Sequence, residues 1–284
     1  MAQMLTQTLN TQAINTQIVG KIAPAHPVTD QFGAIAGHVG LVATEFSYRK
    51  DEEIYGEDEP SEYVYQVVSG AVSSYKLLSD GRRQIGAFHL PGDVFGLESG
   101  PTHRLAAEAI IDTTVRLVKR ASLEKAAATD VQVARKLWAM TAGELRHAED
   151  HMLLLGRKTA MERVATFLLE MDRRLAVAGM MALPMCRRDI GDYLGLTLET
   201  VSRALSQLHA QGILGFSGAR QIVLRNRQRL HNLDALSISP PMTWPAEPDS
   251  AGLFIFAAIM PCAGFPASSP GSEGVPSRRR RTAR

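Results

Sequence analysis

Seven residues, Ala134, Trp138, Thr141, Leu145, Ala148, Met152 and Leu155, recur at alternating spacings of four and three. That interval holds one stripe on one side of an α-helix for about three heptads, which is the seam of a coiled coil. A helix of this length is a rod, and the rest of the chain has to be arranged around it. The stripe could pack on a domain of its own chain or pair with a second copy. A strict 4-3 repeat is narrower than the face a globular helix usually buries, which favours the second copy. The rod is expected over 121–156, with these seven residues as the dimer contacts.

Upstream, from about Ala34 to Arg120, the texture is different. Short β-prone runs, such as Tyr63 to Val68 and Ala71 to Leu78, alternate with turn residues. Ser69-Gly70 and Asp80-Gly81 are turn dipeptides, and the second is a strong hairpin signal. Strands at this regular spacing predict a jelly roll or β-roll over 34–120. The acidic stretch Asp51 to Glu62 reads as a solvated loop interrupting it.

Downstream, Gly156 closes the rod, and a second helix is expected from Arg157 to Ala178, ended by Gly179. In Arg187 to Leu194 the apolar residues Ile190, Tyr193 and Leu194 share one helical face. Gly195-Leu196-Thr197 breaks that helix, and Thr197 is a good N-cap for the next. The next helix, Leu198 to Ala210, buries Val201, Leu205 and Leu208 and turns Glu199, Ser202, Arg203 and Gln207 outward. Two short helices joined by a Gly-containing turn, the second polar near its start, form a helix-turn-helix able to lay side chains in the major groove. After Gln211-Gly212, Ile213 to Phe216 and Gln221 to Arg225 form a hairpin about Ser217 to Arg220, a basic wing. Residues 157–235 carry 12 Lys and Arg against seven Asp and Glu. Phosphate contacts supply most sequence-independent affinity, so the charge sits where such a motif needs it.

Composition sets the outer bounds. The 284 residues, 45% hydrophobic, suffice for two domains with cores, giving an α+β chain. A net charge of only +2 offers no blanket case for nucleic acid, so the case is local. Two cysteines, Cys186 and Cys262, supply neither a disulfide framework nor a four-cysteine metal site and suit the cytoplasm. Residues 1–33 read as a flexible polar arm without a signal peptide. The longest apolar stretch, Leu253 to Met260, is far short of the roughly 20 residues of a membrane helix. Residues 236–284 hold eight of 14 prolines and the Arg278 to Arg281 cluster, and read as a disordered tail. No P-loop, dinucleotide fingerprint or nucleophile elbow is present, so an enzyme is not expected.

The chain resembles the Crp/Fnr superfamily over Tyr48 to Ala235, and within it the FixK-like branch. Phe88-His-Leu-Pro-Gly-Asp93 resembles the barrel signature of that branch, and Ile190 to Arg203 its recognition motif. The resemblance implies an N-terminal β-roll, a long dimerisation helix and a C-terminal winged helix-turn-helix over 157–235. It implies base contacts by Glu199, Ser202 and Arg203. Arg donates a bidentate pair to guanine, Glu accepts from cytosine N4, and Ser serves either neighbour. Arg187, Arg188, Thr197, Thr200, Gln207, Arg220 and Arg225 are the expected phosphate-backbone contacts. Crp-like members carry an Arg just before the Glu, where this chain has Leu198. The implied target is therefore a TTGA-type inverted palindrome on double-stranded DNA, half-sites about one helical turn apart, bound by a homodimer. The hairpin Ser79 to Gln84 falls where Fnr-like activators touch RNA polymerase, and it also reads as an ordinary exposed turn.

Departures from the family bear on sensing. With no Cys before residue 186, an iron-sulfur cluster has no thiolates to hold it. The stretch Phe95 to Ala106 has Leu105 where cyclic-nucleotide binders carry a hydroxyl after the Arg, so cyclic AMP is not expected and no cofactor is assigned. FixK-like members act in oxygen-limited respiration and nitrogen fixation, commonly without a bound cofactor, and a regulator gated by an unidentified effector is the alternative. Cys186, just before Arg187 and Arg188 at a helix N-terminus, is a candidate thiol switch or an inert packed cysteine. His147 and His151, one turn apart, lack a third ligand and read as a solvated helix face rather than a metal site.

Overall fold

The computed structural model describes Phe32, Ile35 and residues 41–234 other than Ala178 and Ala219. The expected tail and the expected arm, save Phe32, lie outside the described residues. Eight strands make two four-stranded antiparallel sheets: β1 (Ala43–Tyr48), β2 (Glu53–Tyr55), β3 (Tyr63–Ser69), β4 (Val72–Leu77), β5 (Arg83–His89), β6 (Val94–Phe95), β7 (Ala106–Ala109) and β8 (Thr113–Lys119). One sheet runs β1-β8-β3-β6 and the other β2-β7-β4-β5, the two halves of a β-roll. Alternation along β8 turns Thr113 and Val115 inward, while Val118, on the other face, is buried against Leu123 and Val133 of the helices that follow. Gly70 turns β3 into β4 at φ +93°, and a Cβ there would lie 2.4 Å from the Thr113 hydroxyl.

The acidic stretch is not merely a loop. β2 runs through it and pairs with β7, and Tyr55 enters the interior, 6% exposed, stacked on the His103 ring at 3.6 Å between centroids. Tyr65 and Phe95 complete the cluster, at 5.1 and 6.1 Å from Tyr55. Charged flanks hide a strand whose one inward side chain supplies the packing.

A short helix α1 (Arg120–Thr129) ends at Asp130, whose extended backbone and side chain cap the rod α2 (Val131–Arg157). The rod carries two stripes. Val133, Leu137, Met140, His147, His151 and Leu154 lie on its buried or half-buried side, whereas Trp138, Leu145 and Met152 are exposed, Trp138 by 77%. His147 and His151 are not on a solvated face. The His151 ring lies 4.3 Å from that of Tyr193, and neither of its nitrogens finds a hydrogen-bond partner among the described residues.

Helix α3 (Ala160–Leu175) starts on a capping box, Thr159 with Glu162. It stops at Leu175, short of the expected Ala178, because Ala176 turns extended and the chain enters a strand, β9 (Met180–Ala182), absent from the sequence reading. Then follow α4 (Arg187–Leu194), α5 (Leu198–Ala210), β10 (Leu214–Phe216), β11 (Gln221–Leu224) and an unanticipated α6 (Arg227–Leu233). β10, β11 and β9 form the wing sheet. One apolar core runs from Ile85 and Phe88 of β5 through Phe167, Leu168 and Met171 of α3 to Ile190, Tyr193, Val201 and Leu205. The β-roll and the helix-turn-helix therefore share packing, with Phe88 and Tyr193 ring centroids 5.1 Å apart. No helix among the described residues is long and apolar enough to cross a membrane.

Candidate DNA interface

The helix-turn-helix is built by local rules. Ile190, Tyr193 and Leu194 anchor α4, and Val201, Leu205 and Leu208 anchor α5, all buried as the pattern requires. Gly195 ends α4 in the left-handed region at φ +61°. Gly191 has a different reason to be glycine: a Cβ there would sit 2.7 Å from the Leu196 carbonyl, where the turn folds back over α4. Thr197 caps α5 by accepting from the Thr200 amide at 3.2 Å, and its hydroxyl lies 3.1 Å from that of Thr200.

This frame leaves the first turns of α5 facing outward. Glu199, Arg203 and Gln207 are exposed and Ser202 is half-buried. Glu199 and Arg203 lie one turn apart, with Arg203 Nε 3.5 Å from the Glu199 carbonyl. Backbone hydrogen bonding within the first turn, followed by the Thr197 hydroxyl, holds the Glu199 carboxyl below its ordinary range, so it stays an acceptor at neutral pH. Arg187 leans over the Phe216 ring at 5.8 Å and donates to the Ser202 hydroxyl at 3.4 Å, tying α4, α5 and the wing together. Arg188 and Arg225 are exposed, and Arg225 lies along Gly215 of the wing. Arg220 donates to the Pro184 carbonyl at 3.0 Å and braces the loop that leads into α4. Cys186 is half-buried at the start of α4, its amide donating to Asp189 at 2.8 Å.

Two residues that the sequence reading passed over fix this unit to the rod. Arg163 donates to the carbonyls of Leu155, Lys158 and Leu194 at 2.7, 3.0 and 2.9 Å, satisfying helix ends of both α2 and α4. Lys158 is buried and bonds Asp234 and, at 2.8 Å, the Thr166 hydroxyl, closing α6 onto the hinge. Arg163 reaches Leu194, 31 residues on, and Lys158 reaches Asp234, 76 residues on, and no local pattern announces either contact.

In the β-roll, Arg104 is exposed, Leu105 stands where a nucleotide binder needs a hydroxyl, and the interior is occupied by the Tyr55, Tyr65, Phe95 and His103 rings. These residues do not fit a cyclic nucleotide. No group of three or more His, Cys, Asp or Glu suited to a metal ion occurs among the described residues.

Comparison with known proteins agrees with this division. Residues 162–233 match the Crp-like helix-turn-helix domain and 45–130 the cyclic nucleotide-binding domain. The nitrogen fixation regulation protein FixK of Azorhizobium caulinodans is 41% identical over 247 residues, covering 78% of this chain and all of that one. FixK of Rhizobium meliloti is 40% identical over 68% of this chain and 87% of its own. Among solved structures, that of FixK2 from Bradyrhizobium japonicum is 95% identical, with a TM-score of 0.67, over 68% of this chain and 98% of that one. With both domains in order and relatives matched along nearly their whole length, the chain belongs to the Crp/Fnr family of transcription regulators, on its FixK branch.

Proposed function

We propose that the chain acts as a cytoplasmic homodimer that activates transcription from a TTGA-type inverted palindrome, in oxygen-limited respiration or nitrogen fixation, with no bound effector. The observation that carries the reading is the outward face of the first two turns of α5, where Glu199, Ser202 and Arg203 stand on a capped, anchored helix. Two similar faces would come from two copies paired through Ala134, Trp138, Thr141, Leu145, Ala148, Met152 and Leu155, a stripe whose Trp138, Leu145 and Met152 are exposed in one chain. Arg187, Arg188, Thr197, Thr200, Gln207, Arg220 and Arg225 flank the reading residues as phosphate contacts. The physiology follows the regulators it resembles, and the exposed tip of the Ser79 to Gln84 hairpin, Ser79 to Arg82, is the surface offered to RNA polymerase, Arg83 and Gln84 being turned toward α4.

Cys186 adds a switch to this reading. A sulfinic or sulfonic acid at the start of α4, beside Arg187 and Arg188, would bring negative charge toward phosphate and weaken binding.

A gel-shift titration of purified protein on the palindrome against a scrambled duplex tests the reading. Specific binding without added ligand is expected. Arg203→Ala should cost about 1 to 3 kcal/mol of discrimination at one base pair, whereas neutralising Arg225 should weaken binding to all sequences and lower the salt slope. Equal losses on both duplexes for both variants would refute the assignment. Peroxide should abolish binding in the wild type and spare Cys186→Ser. A second reading, gating by a small effector, has one observation in its favour, a cavity of about 380 Å³ bordered by Phe88, Asp93, Glu144, His147 and Arg174. It predicts no palindrome preference until the effector is added.

A further inference from the structure

Strand β5 of the β-roll is held against the helix-turn-helix along its length. At its start, Arg83 reaches across to α4, donating from Nε to Asp192 at 3.1 Å and from Nη2 to Asp189. The third guanidinium nitrogen lies 3.6 Å from Glu108 of β7, and the carbon sits 5.3 Å over the Tyr75 ring. Gln84 donates to the Tyr193 carbonyl of α4 at 3.3 Å. At the far end of β5, Arg174 of α3 lies 3.4 Å from the Phe88 carbonyl and pairs with Asp93. Between the two, Phe88 packs on Tyr193 and Phe167.

The charge count makes Arg83 the keystone. Three carboxylates, Glu108, Asp189 and Asp192, converge on this guanidinium, all with side chains less than a quarter exposed. Without it they repel across the gap between β7 and α4, so this end of the seam between the two domains would loosen while the apolar core still joins them. A planar fork serves two carboxylates on one helix and one on a strand at once, which a lysine cannot.

We propose that Arg83 is a positioning residue for DNA reading: by clamping α4 to the β-roll it fixes the recognition helices at the half-site spacing without an effector. The arrangement of the two domains is stapled by the chain's own side chains. The inference rests on the palindrome reading above. It adds that the spacing preference is carried by a contact that touches no DNA.

The test uses the full chain, without ligand, on duplexes carrying the palindrome at its best spacing and with one or two base pairs inserted or removed. Arg83→Ala should lose tenfold or more at the best spacing and much less at the others, so that the spacing preference flattens. The salt slope should be unchanged, because no phosphate contact is lost. Arg83→Lys, keeping one ion pair, should fall between, and Asp192→Asn should flatten the preference without removing the α4 cap that Asp189 provides. A variant that merely unfolds lowers binding at every spacing alike, so the ratio separates positioning from instability. Arg83→Ala and Asp192→Asn both within twofold of wild type at every spacing, a uniform loss, or a slope reduced by about one would overturn the proposal. Wild-type protein that prefers no palindrome at any spacing overturns the palindrome reading itself, and the clamp's role with it.

Discussion

Inside the β-roll, Tyr55, Tyr65, Phe95 and His103 stack on one another away from water, while on α5 Glu199, Arg203 and Gln207 stand in solvent. Both sets sit on regular, well-anchored elements. The first spends its side chains on the β-roll's own interior. The second keeps its donors and acceptors for something outside the chain. A roll packed with its own rings and a reader held outward are the two features on which the proposed effector-free reading rests.

The comparison breaks most visibly if the filled interior proves dispensable. Tyr55→Ala removes a ring that is 6% exposed and stacked at 3.6 Å, and should cost about 3 to 5 kcal/mol in urea unfolding. Its DNA discrimination, per folded molecule, should stay that of the wild type. A loss under about 1 kcal/mol would mean the cavity is adaptable and a ligand could enter.

Acid probes the buried rings next, at His89 beside Phe95 in the β-roll and at His151 of α2 against Tyr193. Burial, with Arg174 and then His147 adding to it, pulls His89 down to about 3, and burial with His147 pulls His151 down to about 4, both from 6.5. Both folded values lie below the unfolded one, so the unfolded chain binds more protons in between. This share of stability is complete above about pH 6.5 and lost as pH falls toward 4 and then 3. His151→Phe, which keeps a ring against Tyr193, should make urea midpoints fall less between pH 7 and pH 4.5 than in the wild type. Parallel slopes would show that His151 already protonates freely in the fold.

The reader side should respond in the opposite sense. Arg203→Ala, exposed and engaged only with its own helix, should change stability by under about 0.5 kcal/mol while costing about 1 to 3 kcal/mol of base discrimination. Unfolding and binding measured on the same preparation separate the two, and a stability loss above 1 kcal/mol would make Arg203 part of the scaffold.

What could be read from the sequence follows the range of the interactions. Caps, turns and periodic faces act over three to seven residues, so Gly195, Thr197 and the bounds of α4 and α5 were legible, as was the 4-3 stripe. The Thr159 to Glu162 box was legible by the same rule and was passed over. Arg83 and Asp192 are 109 residues apart and Lys158 and Asp234 are 76 apart, and nothing local marks either pair. Tyr55 was hidden because its acidic neighbours dominate a window in which one inward ring decides the structure. The inner stripe of α2, with His147 and His151 on it, was overlooked beside the outer because polar residues interrupt its apolar run.

The smallest expected effect lies at the joint between the two helices of the reader. Thr197 accepts from the Thr200 amide and supports the Glu199 carboxylate, so Thr197→Ala removes a cap and should cost about 1 kcal/mol of stability. The hydrogen bonds of this cap run between Thr197 and Thr200, and the clamp through Arg83 should hold α4 in place. The first turn of α5 should then fray while the rest of the helix stays, so base discrimination should fall more than the salt-dependent affinity. Amide exchange at Thr200 and Val201 reports the fraying, and gel shifts on matched and mismatched duplexes report its consequence. If Thr197→Ala instead lowered specific and non-specific binding equally, Thr197 would be acting on phosphate directly, and the rigidity assigned to the first turn would have to come from the Gly195 turn and the buried face of α5.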